Sequence, residues 1–540
     1  MIKEVIIIGN GLAGMSAAIF AAKAGAHVML VSETRPERTQ SVLAAGGINC
    51  ALNHNEDNDD TDQHYADTMK SAGCLADSSA VKQLTQMAPE IIKWLSDIGV
   101  VFSRSKDGKI AQRYFGGQKK ARTVYAKAGI GKQLISGLSM ELNRCITEGT
   151  VKEYIGYGFD HMLIDDQQVY GCQIQHAVSR KKICLYGTAV IVASGGINGL
   201  FGKTTGSTNN QGYVTAKLLS QGVQMANLEM IQFHPTTIET PMKQMLISEA
   251  ARGEGGRLFV QREGRPWYFM EELYPDGGNL MPRDVVSMEE YRQSVLKGYG
   301  QVYLDLTGLS KETIEDKLKE VKELCGTYLG IDPAVTPIPV QPGIHYFMGG
   351  IYVDAKHQTN VKGLYAAGEC ACIYHGANRL GGNSTLGAIV GGKIAGGEAA
   401  RWENSYWSKQ QRESFDFEEM INQAGGTNME SPSDRLQHVM RHSMTILRDE
   451  QHLQKGLSVL LSIEENSPAE QLPYLKLGEA CVRSALDRKE SRGAHRRVDF
   501  PDTKQQYENM TISRVDEQGE LIIERRETSY EFVWEKVEKT

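Results

Sequence analysis

The first 33 residues contain the pattern that most restricts the fold of this chain. An apolar run, "EVIIIG" at 4–9, is followed by the turn "GNGLAG" and by the Ala-rich stretch "MSAAIFAAKAG", which ends at Gly25. A second apolar run, "HVMLVSE", occupies 27–33. Two short apolar runs separated by a helical segment predict a strand–helix–strand unit, the usual opening of a doubly wound α/β fold.

Three glycines and one acid in this unit predict a dinucleotide site. Gly9, Gly11 and Gly14 fit the pattern G-x-G-x-x-G. The first glycine permits a tight turn, the second lets the backbone approach a pyrophosphate, and the third lets the helix pack closely on the strand. Glu33 ends the second run, 19 residues beyond Gly14, where a carboxylate commonly accepts a hydrogen bond from a ribose hydroxyl.

The next stretch, "RTQSVLAAGGIN" at 38–49, is small and Gly-rich. Small side chains and a Gly46-Gly47 turn let a backbone lie close to a flat ring. Gln40 precedes the small residues, and loops of this kind can carry a covalent handle for the ring. We therefore expect a ring-shaped ligand here, and the chemistry of Gln40 decides how it is held.

Length, charge and cysteine content exclude several classes of protein. A chain of 540 residues is too long for one compact core, so two to four domains are expected. A net charge of -7 without a long basic run argues against nucleic-acid binding. No apolar segment approaches the length of a membrane span, and the N-terminus shows no signal-peptide pattern, so a cytoplasmic location is expected. Nine cysteines without a CxxC pair predict reduced thiols, no metal and no iron–sulfur cluster in this chain.

Later apolar runs indicate how the chain is divided. Strands are predicted in "GTAVIVASGG" at 187–196 and "GLYAAGE" at 363–369, an amphipathic helix at 80–98, and helices in "WENSYWSKQQRESFDFEEMINQ", 433–465 and 472–487. Two distant strand-to-glycine turns predict a discontinuous dinucleotide domain. The expected divisions are a dinucleotide domain at 1–235 and 341–400, an insertion at 236–340, a helical domain at 401–504, and a tail or small domain at 505–540 with a hairpin.

Five polar segments contain groups that are expensive to bury without a purpose. Each has an ordinary structural explanation taken singly, but together their arginines and histidines, interspersed with glycine, indicate a site for a small polyanion. The segments are "QFHPTTIETP" with His234, "ISEAARGEGG" with Ser248, Glu249 and Arg252, "MPRDVVS" with Arg283, "GIHYFMGG" with His345, and "YHGANRLGGNS" with Arg379.

These residue types suit the reduction of a dicarboxylate. Each carboxylate needs an anchor, and guanidinium groups bind carboxylates in a bidentate manner. Hydride transfer to an activated C=C bond needs a hydride donor on one face and a proton donor on the other. An arginine can donate a proton only if a relay resupplies it, and Glu249 and Arg252 are spaced to lie on one side of a turn.

Taken together, the motifs resemble those of the flavoprotein subunit of fumarate reductase and succinate dehydrogenase, with L-aspartate oxidase as a close relative. The motifs occur in family order from "GNGLAG" to "RKESRGAHRRVDFP" at 488–501. The resemblance implies an α/β fold with a Rossmann-like (GR2) FAD-binding domain, an inserted α+β capping domain and a C-terminal helical domain. It also implies FAD and a two-electron reaction on a C4 dicarboxylate.

The resemblance assigns roles residue by residue. Arg283 matches the proton-donating arginine, and Glu249 and Arg252 match its relay. The substrate residues implied are His234, Ser248, His345, Arg379 and, beside them, Phe115. The insertion would close over the site. The residues implied to hold FAD are Gly9, Gly11, Gly14, Ser32, Glu33, Gln40, Ser41, Ala45, Gly46, Gly47, Ala193, Ser194, Gly195, Glu369, Arg379, Ser384 and Leu386.

Three departures from the family pattern bear on which member this is. Phe115 precedes Gly116-Gly117, where aspartate oxidases commonly have an acid that can meet a substrate ammonium, so an unsubstituted dicarboxylate is favoured. "GGNSTLGAIVGG" at 381–392 differs from the usual "SNSL" pattern. Gln40 aligns with the histidine that respiratory members bond to flavin, and an amide cannot form that bond. The expectation is non-covalent FAD with a lower potential and a bias toward fumarate reduction.

The leading interpretation is a fumarate reductase flavoprotein that receives electrons from an iron–sulfur subunit, with a membrane anchor as a further partner. Its location would then be peripheral, at the inner face of the cell membrane. The alternative is L-aspartate oxidase, which converts L-aspartate to iminoaspartate in NAD biosynthesis. A non-catalytic FAD-binding subunit is a third hypothesis, which the complete set of Arg283, Glu249 and Arg252 disfavours. The dicarboxylate residues also disfavour an adenylylsulfate reductase-like activity.

Overall fold

A five-stranded, all-parallel sheet forms the centre of the molecule in the computed structural model, which describes residues 3–127, 129–403 and 431–529. Its inner strands are short, apolar and mostly buried, as parallel strands covered on both faces must be, whereas the edge strand Val151–Ile155 is only partly buried. One edge strand, Leu364–Ala366, comes from a segment more than 170 residues beyond its neighbour Ala189–Val192. The strand order is Leu364–Ala366, Ala189–Val192, Glu4–Ile8, His27–Ser32 and Val151–Ile155.

The predicted opening unit is present, with the helix Leu12–Lys23 packed on the strand Glu4–Ile8. A Cβ added at Gly14 would lie 1.8 Å from the Gly9 carbonyl oxygen, so only glycine permits this approach. Gly9 itself has φ +108, a conformation open to glycine. Gly9 and Gly14 therefore serve the turn and the helix packing as predicted, and the helix N-terminus is brought to the end of the sheet.

A six-stranded antiparallel sheet contains the strands of the predicted insertion. It has its own apolar core, which includes Phe115, Leu258, Leu304 and Val340. The expected divisions after 235 and after 340 both fall inside strands of this sheet. The strand order is Gln244–Leu246, Ile231–Glu239, Ile338–Phe347, Val302–Asp305, Arg257–Arg262 and Arg265–Trp267.

Helices cover both sheets. The amphipathic helix predicted at 80–98 is Ser78–Asp97. The other described α-helices of seven or more residues are Thr61–Ala72, Ile130–Thr147, Tyr213–Ser220, Arg283–Tyr291, Lys319–Leu329, Asn383–Arg401, Asp434–Ser443, Glu450–Glu464 and Leu472–Asp487. The helix predicted from 402 onward lies almost wholly outside the described residues. No helix in the described part of the chain is long and apolar enough to cross a membrane.

The tail forms the predicted hairpin, from strands Met510–Val515 and Leu521–Arg526. This hairpin is not separate from the rest, because its first strand pairs with Met225–Ala226 in a second five-stranded sheet. Gly350–Tyr352 and Ala371–Cys372 complete that sheet. A three-stranded sheet of Tyr157–Asp165, Gln168–His176 and Lys182–Tyr186 stands beside the central one.

Candidate active site

One cavity of about 1010 Å³ runs from the turn at Gly9 to the side chain of Arg283. Its volume is at the upper end of the roughly 300–1,000 Å³ typical of ligand sites. Strand ends of the parallel sheet line one end, and polar side chains of the antiparallel sheet and its neighbours line the other. The cavity is therefore large enough to hold an extended ligand and a second, small one.

The sheet end of the cavity has the character of a dinucleotide site. Gly9 and Gly11 line it at the N-terminus of helix Leu12–Lys23, and Ser32 and Glu33 line it at the end of the neighbouring strand. Burial raises the pKa of the Glu33 carboxyl. The Asn10 side-chain oxygen is buried without a hydrogen-bond partner in the described part of the protein. A helix N-terminus favours a phosphate, and an unsatisfied acceptor oxygen beside Glu33 suits hydroxyl donors such as those of a ribose.

The loop at 38–49 forms the middle of the cavity wall. Gln40 begins the 3₁₀ helix Gln40–Leu43, and its side-chain oxygen accepts a hydrogen bond from the Ser207 backbone N–H. Ser41 accepts from the Leu12 N–H at 3.1 Å, which ties the loop to the glycine turn. Gly46 and Gly47 also line the cavity, as predicted. The amide of Gln40 is thus held by the backbone across the cavity wall.

Glu249 lies between two arginines at the other end of the cavity. Its Oε2 accepts from Arg283 Nη2 at 2.6 Å and from Arg283 Nε at 3.0 Å. Its Oε1 accepts from Arg252 Nη2 at 3.0 Å. Burial alone would raise the pKa of Glu249, but the charges of Arg283 and Arg252 hold it below its usual value. A buried, ionised carboxylate therefore connects the two guanidinium groups.

Close approach of the backbone completes this arrangement. The Gly116 N–H donates to Glu249 Oε1 at 3.2 Å. A Cβ at Gly116 would lie 2.4 Å from that oxygen, and one at Gly381 would lie 2.8 Å from Glu249 Oε2. Any larger residue at Gly116 would displace the carboxylate, so the position of Glu249 requires glycine here.

Two histidines face each other beside this group, with ring centroids 5.1 Å apart. The Thr236 N–H donates to His234 Nδ1 at 3.2 Å. Burial and the charge of Arg283 lower the pKa of both His234 and His345 well below the usual value, so both rings are neutral. A neutral ring that accepts at Nδ1 carries its proton on Nε2, and His234 Nε2 has no partner among the described residues.

Arg379 is a buried cation without a neutralising carboxylate. It makes no ion pair with any described residue, and its Nε has no hydrogen-bond partner there. Its guanidinium lies 4.4 Å from the centroid of the Tyr346 ring. Burial, followed by repulsion from Arg283, lowers the pKa of Arg379 to about 9. Such a group favours an anionic ligand, because an anion replaces the solvation it has lost.

Glu369 and Phe115 complete the predicted wall. Glu369 Oε1 accepts from the Phe347 N–H at 3.2 Å, and burial raises the pKa of this carboxyl to about 7. Phe115 is 1% exposed, and its ring lies against Gly46 and Gly381. The wall next to Glu249 is therefore apolar at the position where an acid would meet a substrate ammonium.

The structure places most of the predicted residues around the one cavity. Gly14, Arg252 and Leu386 are exceptions that do not line it. Gly14 acts in helix packing, Arg252 lies behind Glu249, and Leu386 is fully buried inside helix Asn383–Arg401, where Ser384 and Thr385 reach the cavity instead. No group of three or more potential metal ligands occurs within the described ranges.

Other residues of the site were missed by the sequence reasoning. Gln232 accepts from Arg283 Nη1 at 3.1 Å, Thr205 contacts His345 Nδ1 at 2.8 Å, and Tyr346 lies under Arg379. Gln232 and Tyr346 stand within the motifs "QFHPT" and "HYFMGG", so their position beside His234 and His345 was a usable signal. Thr205 had none, because only the tertiary fold brings it to the site.

The class of protein follows from these observations. A nucleotide-type cavity joined to a cationic pocket, with a carboxylate held between two arginines, is the arrangement of a cofactor-dependent oxidoreductase for a small anion.

Comparisons with known proteins define the class more closely. The family described as "FAD binding domain" matches residues 4–385, and that described as "Fumarate reductase flavoprotein C-term" matches 467–540. The succinate dehydrogenase flavoprotein subunit of Bacillus subtilis is 35% identical, over 93% of this chain and 92% of its own length. The fumarate reductase flavoprotein subunit of Mycobacterium tuberculosis is 32% identical, over 93% of each chain.

A solved structure gives the same result. A mutated FrdA chain of E. coli quinol fumarate reductase superimposes with a TM-score of 0.88 at 28% identity, covering 99% of this chain and 98% of that one. The chain belongs to the family of succinate dehydrogenase and fumarate reductase flavoprotein subunits, which are FAD-dependent oxidoreductases. The resemblance and the fold class predicted from the sequence are confirmed.

Proposed function

We propose that this chain interconverts fumarate and succinate, and that it works mainly in fumarate reduction with Arg283 as the proton donor. The observation that supports this most strongly is the buried group of Arg283, Glu249 and Arg252 at the wall of the cavity. The site has cationic groups in excess of its one ionised carboxylate, as a dianion requires.

Substrate binding would use the unsatisfied donors. Arg379 would bind one carboxylate, since its guanidinium has no anionic partner among the described residues. His234 would donate from Nε2 to the other, with His345 and the Ser248 hydroxyl beside it. Two separate sets of donors suit the two ends of a C4 dicarboxylate and would fix its orientation.

Proton delivery would follow the hydrogen bonds that join Arg252, Glu249 and Arg283. Arg283 donates a proton to one alkene carbon while the other carbon accepts a hydride, which balances the conversion of fumarate to succinate. Arg252 then protonates the Glu249 carboxylate at Oε1, and Glu249 passes a proton from Oε2 to Arg283. A proton from solvent would restore Arg252. In succinate oxidation the same groups would carry the proton outward.

The residues of the cavity fit FAD, which supplies the hydride when bound. Gly9, Gly11 and Glu33 would hold its adenosine and pyrophosphate half, and the helix Asn383–Arg401 brings its N-terminus to the other end. We propose that the attachment is non-covalent, because Gln40 offers an amide that is already bonded to Ser207. Acid precipitation of the holoprotein should release all flavin to the supernatant; flavin in the pellet would contradict this.

Electrons would come from a partner. The nine cysteines are unpaired, and no metal-binding cluster occurs in the part of the chain that is described. We propose an iron–sulfur subunit as the donor and a membrane anchor beyond it, which would place the protein peripherally at the inner face of the membrane. Without a histidyl–flavin bond the potential would be lower, which favours fumarate as the acceptor.

A comparison of two substrates tests the proposal. The holoprotein should oxidise a reduced viologen dye in the presence of fumarate, and it should not release peroxide with L-aspartate and oxygen. The apolar Phe115 next to Glu249 supports this choice, since it offers no partner for a substrate ammonium. Peroxide and iminoaspartate formed from L-aspartate, with no fumarate reduction, would instead identify an L-aspartate oxidase.

A further inference from the structure

Arg283 begins a chain of three hydrogen bonds that ends at its sequence neighbour Asp284, so the peptide bond between them closes a ring that none of the roles above uses. Arg283 Nη1 donates to Gln232 Oε1 at 3.1 Å, and Gln232 Nε2 donates to Asn378 Oδ1 at 2.8 Å. Asn378 Nδ2 then donates to Asp284 Oδ1 at 2.7 Å, and Asp284 is the next residue after Arg283. We call these four side chains the Asp284 ring.

The ring joins three parts of the chain. Gln232 lies on the strand Ile231–Glu239, Asn378 lies in the loop before helix Asn383–Arg401, and Asp284 lies in the first turn of helix Arg283–Tyr291. Asp284 Oδ2 also accepts from Arg496 Nη2 at 2.7 Å, from the segment after the last described helix. The helix that carries Arg283 is therefore fastened to both the loop before helix Asn383–Arg401 and the C-terminal segment.

The residue types of the ring allow its hydrogen bonds only one order of donors and acceptors. Arg283 can only donate, and ionised Asp284 can only accept. The two amides between them must then turn their oxygens toward Arg283 and their nitrogens toward Asp284. Gln232 and Asn378 are 0% and 3% exposed, so water cannot easily replace a lost member. Breaking one contact leaves its buried donor or acceptor unsatisfied, which costs more than the contact itself contributes.

We infer that Asp284 is a positioning residue, which aligns the Arg283 guanidinium through Asn378 and Gln232. Arg496 holds Asp284 in place through its other carboxylate oxygen. This inference rests on the proposed role of Arg283. Gln232 Nε2 also donates to the Arg379 carbonyl oxygen at 2.8 Å, so the ring connects the proton donor to the residue proposed to bind substrate.

A double-mutant cycle between two members that do not touch each other tests the ring. In Asp284→Asn and Gln232→Met, kcat for fumarate reduction should fall roughly 10- to 100-fold with KM within about threefold, because a misplaced proton donor loses rate before binding. The double variant should be no slower than the slower single variant, because both changes weaken the same connection between Asp284 and Arg283. The inference would be overturned if the double variant lost kcat by the product of the two single losses, or if Asp284→Asn kept a kcat within twofold of wild type.

Arg496→Gln and a matched control separate positioning from general destabilisation. Arg496→Gln should lower kcat in the same direction as Asp284→Asn. Lys203→Gln removes an exposed ion pair, Lys203–Glu239 at 3.1 Å, that also contacts the strand Ile231–Glu239 but lies outside the ring. It should leave kcat within twofold; an equal loss in Lys203→Gln would contradict a specific role for the ring.

Amide hydrogen exchange gives a readout that does not depend on turnover. In the FAD-loaded protein, exchange of residues 283–291 should be about tenfold faster or more in Asp284→Asn, because a charge-assisted contact is lost, and unchanged in Lys203→Gln. Unchanged exchange in Asp284→Asn would refute the ring. If the wild-type protein reduces no fumarate, the proposed function fails, and the exchange result alone decides whether Asp284 fastens the helix.

Discussion

Glu249 carries the negative charge that holds two arginines together in the cavity wall. It is 2% exposed, and its two oxygens accept from Arg283, Arg252 and the Gly116 N–H. The charge of the carboxylate offsets the cost of burying both guanidinium groups. A neutral group of the same shape would keep the hydrogen-bond geometry in part but would lose the ability to accept and return a proton.

Glu249→Gln should therefore lower kcat for fumarate reduction by about 10²-fold or more, since positioned acid–base groups typically contribute 10²–10⁴. FAD content, read from the visible absorbance, should be unchanged, because Glu249 lies at the far end of the cavity from the glycine turn. Glu254→Gln is the control, as Glu254 pairs with Lys317 near the surface. Wild-type turnover in Glu249→Gln would show that Glu249 does not take part in proton transfer.

Glu369 should make the stability of the FAD-free protein depend on pH. Burial raises the pKa of its carboxyl to about 7, from 4.5, so between these values the unfolded chain is ionised and the folded one is not. Raising the pH through this range therefore favours unfolding. The Tm of Glu369→Gln minus the Tm of wild type should increase as the pH is raised from 4.5 to about 7, and it should be constant above that pH. A difference that is constant with pH would contradict the assignment.

The Gly116-Gly117 turn is the element that sets the position of Glu249. A Cβ at Gly116 would lie 2.4 Å from Glu249 Oε1. Gly116→Ala should therefore displace the carboxylate and lower kcat by about tenfold or more, with FAD retained. Gly308→Ala is a matched control, because a Cβ there meets nothing within 4 Å. Equal kinetics in the two variants would show that this turn does not position the relay.

The sequence predicted those elements whose signal is local. The strand Glu4–Ile8 and the helix Leu12–Lys23 follow from hydrophobic runs and glycine spacing within 33 residues. The limits of the insertion did not, because the strands Ile231–Glu239 and Ile338–Phe347 continue across both expected divisions. An antiparallel pair that crosses such a division leaves no change of composition for sequence reasoning to detect.

The same distinction holds within the site. Glu249 and Arg252 were predictable as a pair because they stand three residues apart. The position of Asn378 next to Asp284 was not, since 94 residues separate them. Leu386 was assigned to the cofactor by motif alone, and the helix turns it into the apolar core instead. The motifs therefore predicted which residue types belong to the site, but only the fold shows which residues lie next to each other.

At the scale of the whole molecule, a buried ionic network joins the C-terminal segment to the centre. Arg488 Nε contacts Glu229 Oε1 at 2.6 Å, and Arg488 Nη1 contacts Glu490 Oε1 at 3.0 Å, all three side chains being 0% exposed. Thr511 of the hairpin also donates to Glu229 Oε1. The network thus connects the chain near 229 with the last described segments.

Glu229→Ala should lower the free energy of unfolding by about 3–5 kcal/mol, because it leaves Arg488 buried without one of its carboxylates. Chemical denaturation of the holoprotein measures this. Glu524→Ala removes a partly exposed carboxylate from the hairpin, paired with Arg526 at 2.7 Å, and should cost no more than about 1 kcal/mol. Similar losses in the two variants would contradict a central role for the network.

The most direct test concerns Arg283, because the proposed reaction depends on its proton. Fumarate reduction by reduced viologen should be compared in the wild-type holoprotein and in Arg283→Ala, with succinate binding followed by flavin difference spectra. Turnover should fall about 10³-fold or more, while FAD is retained and the Kd for succinate changes by less than about tenfold. Full turnover in Arg283→Ala would show that another group donates the proton.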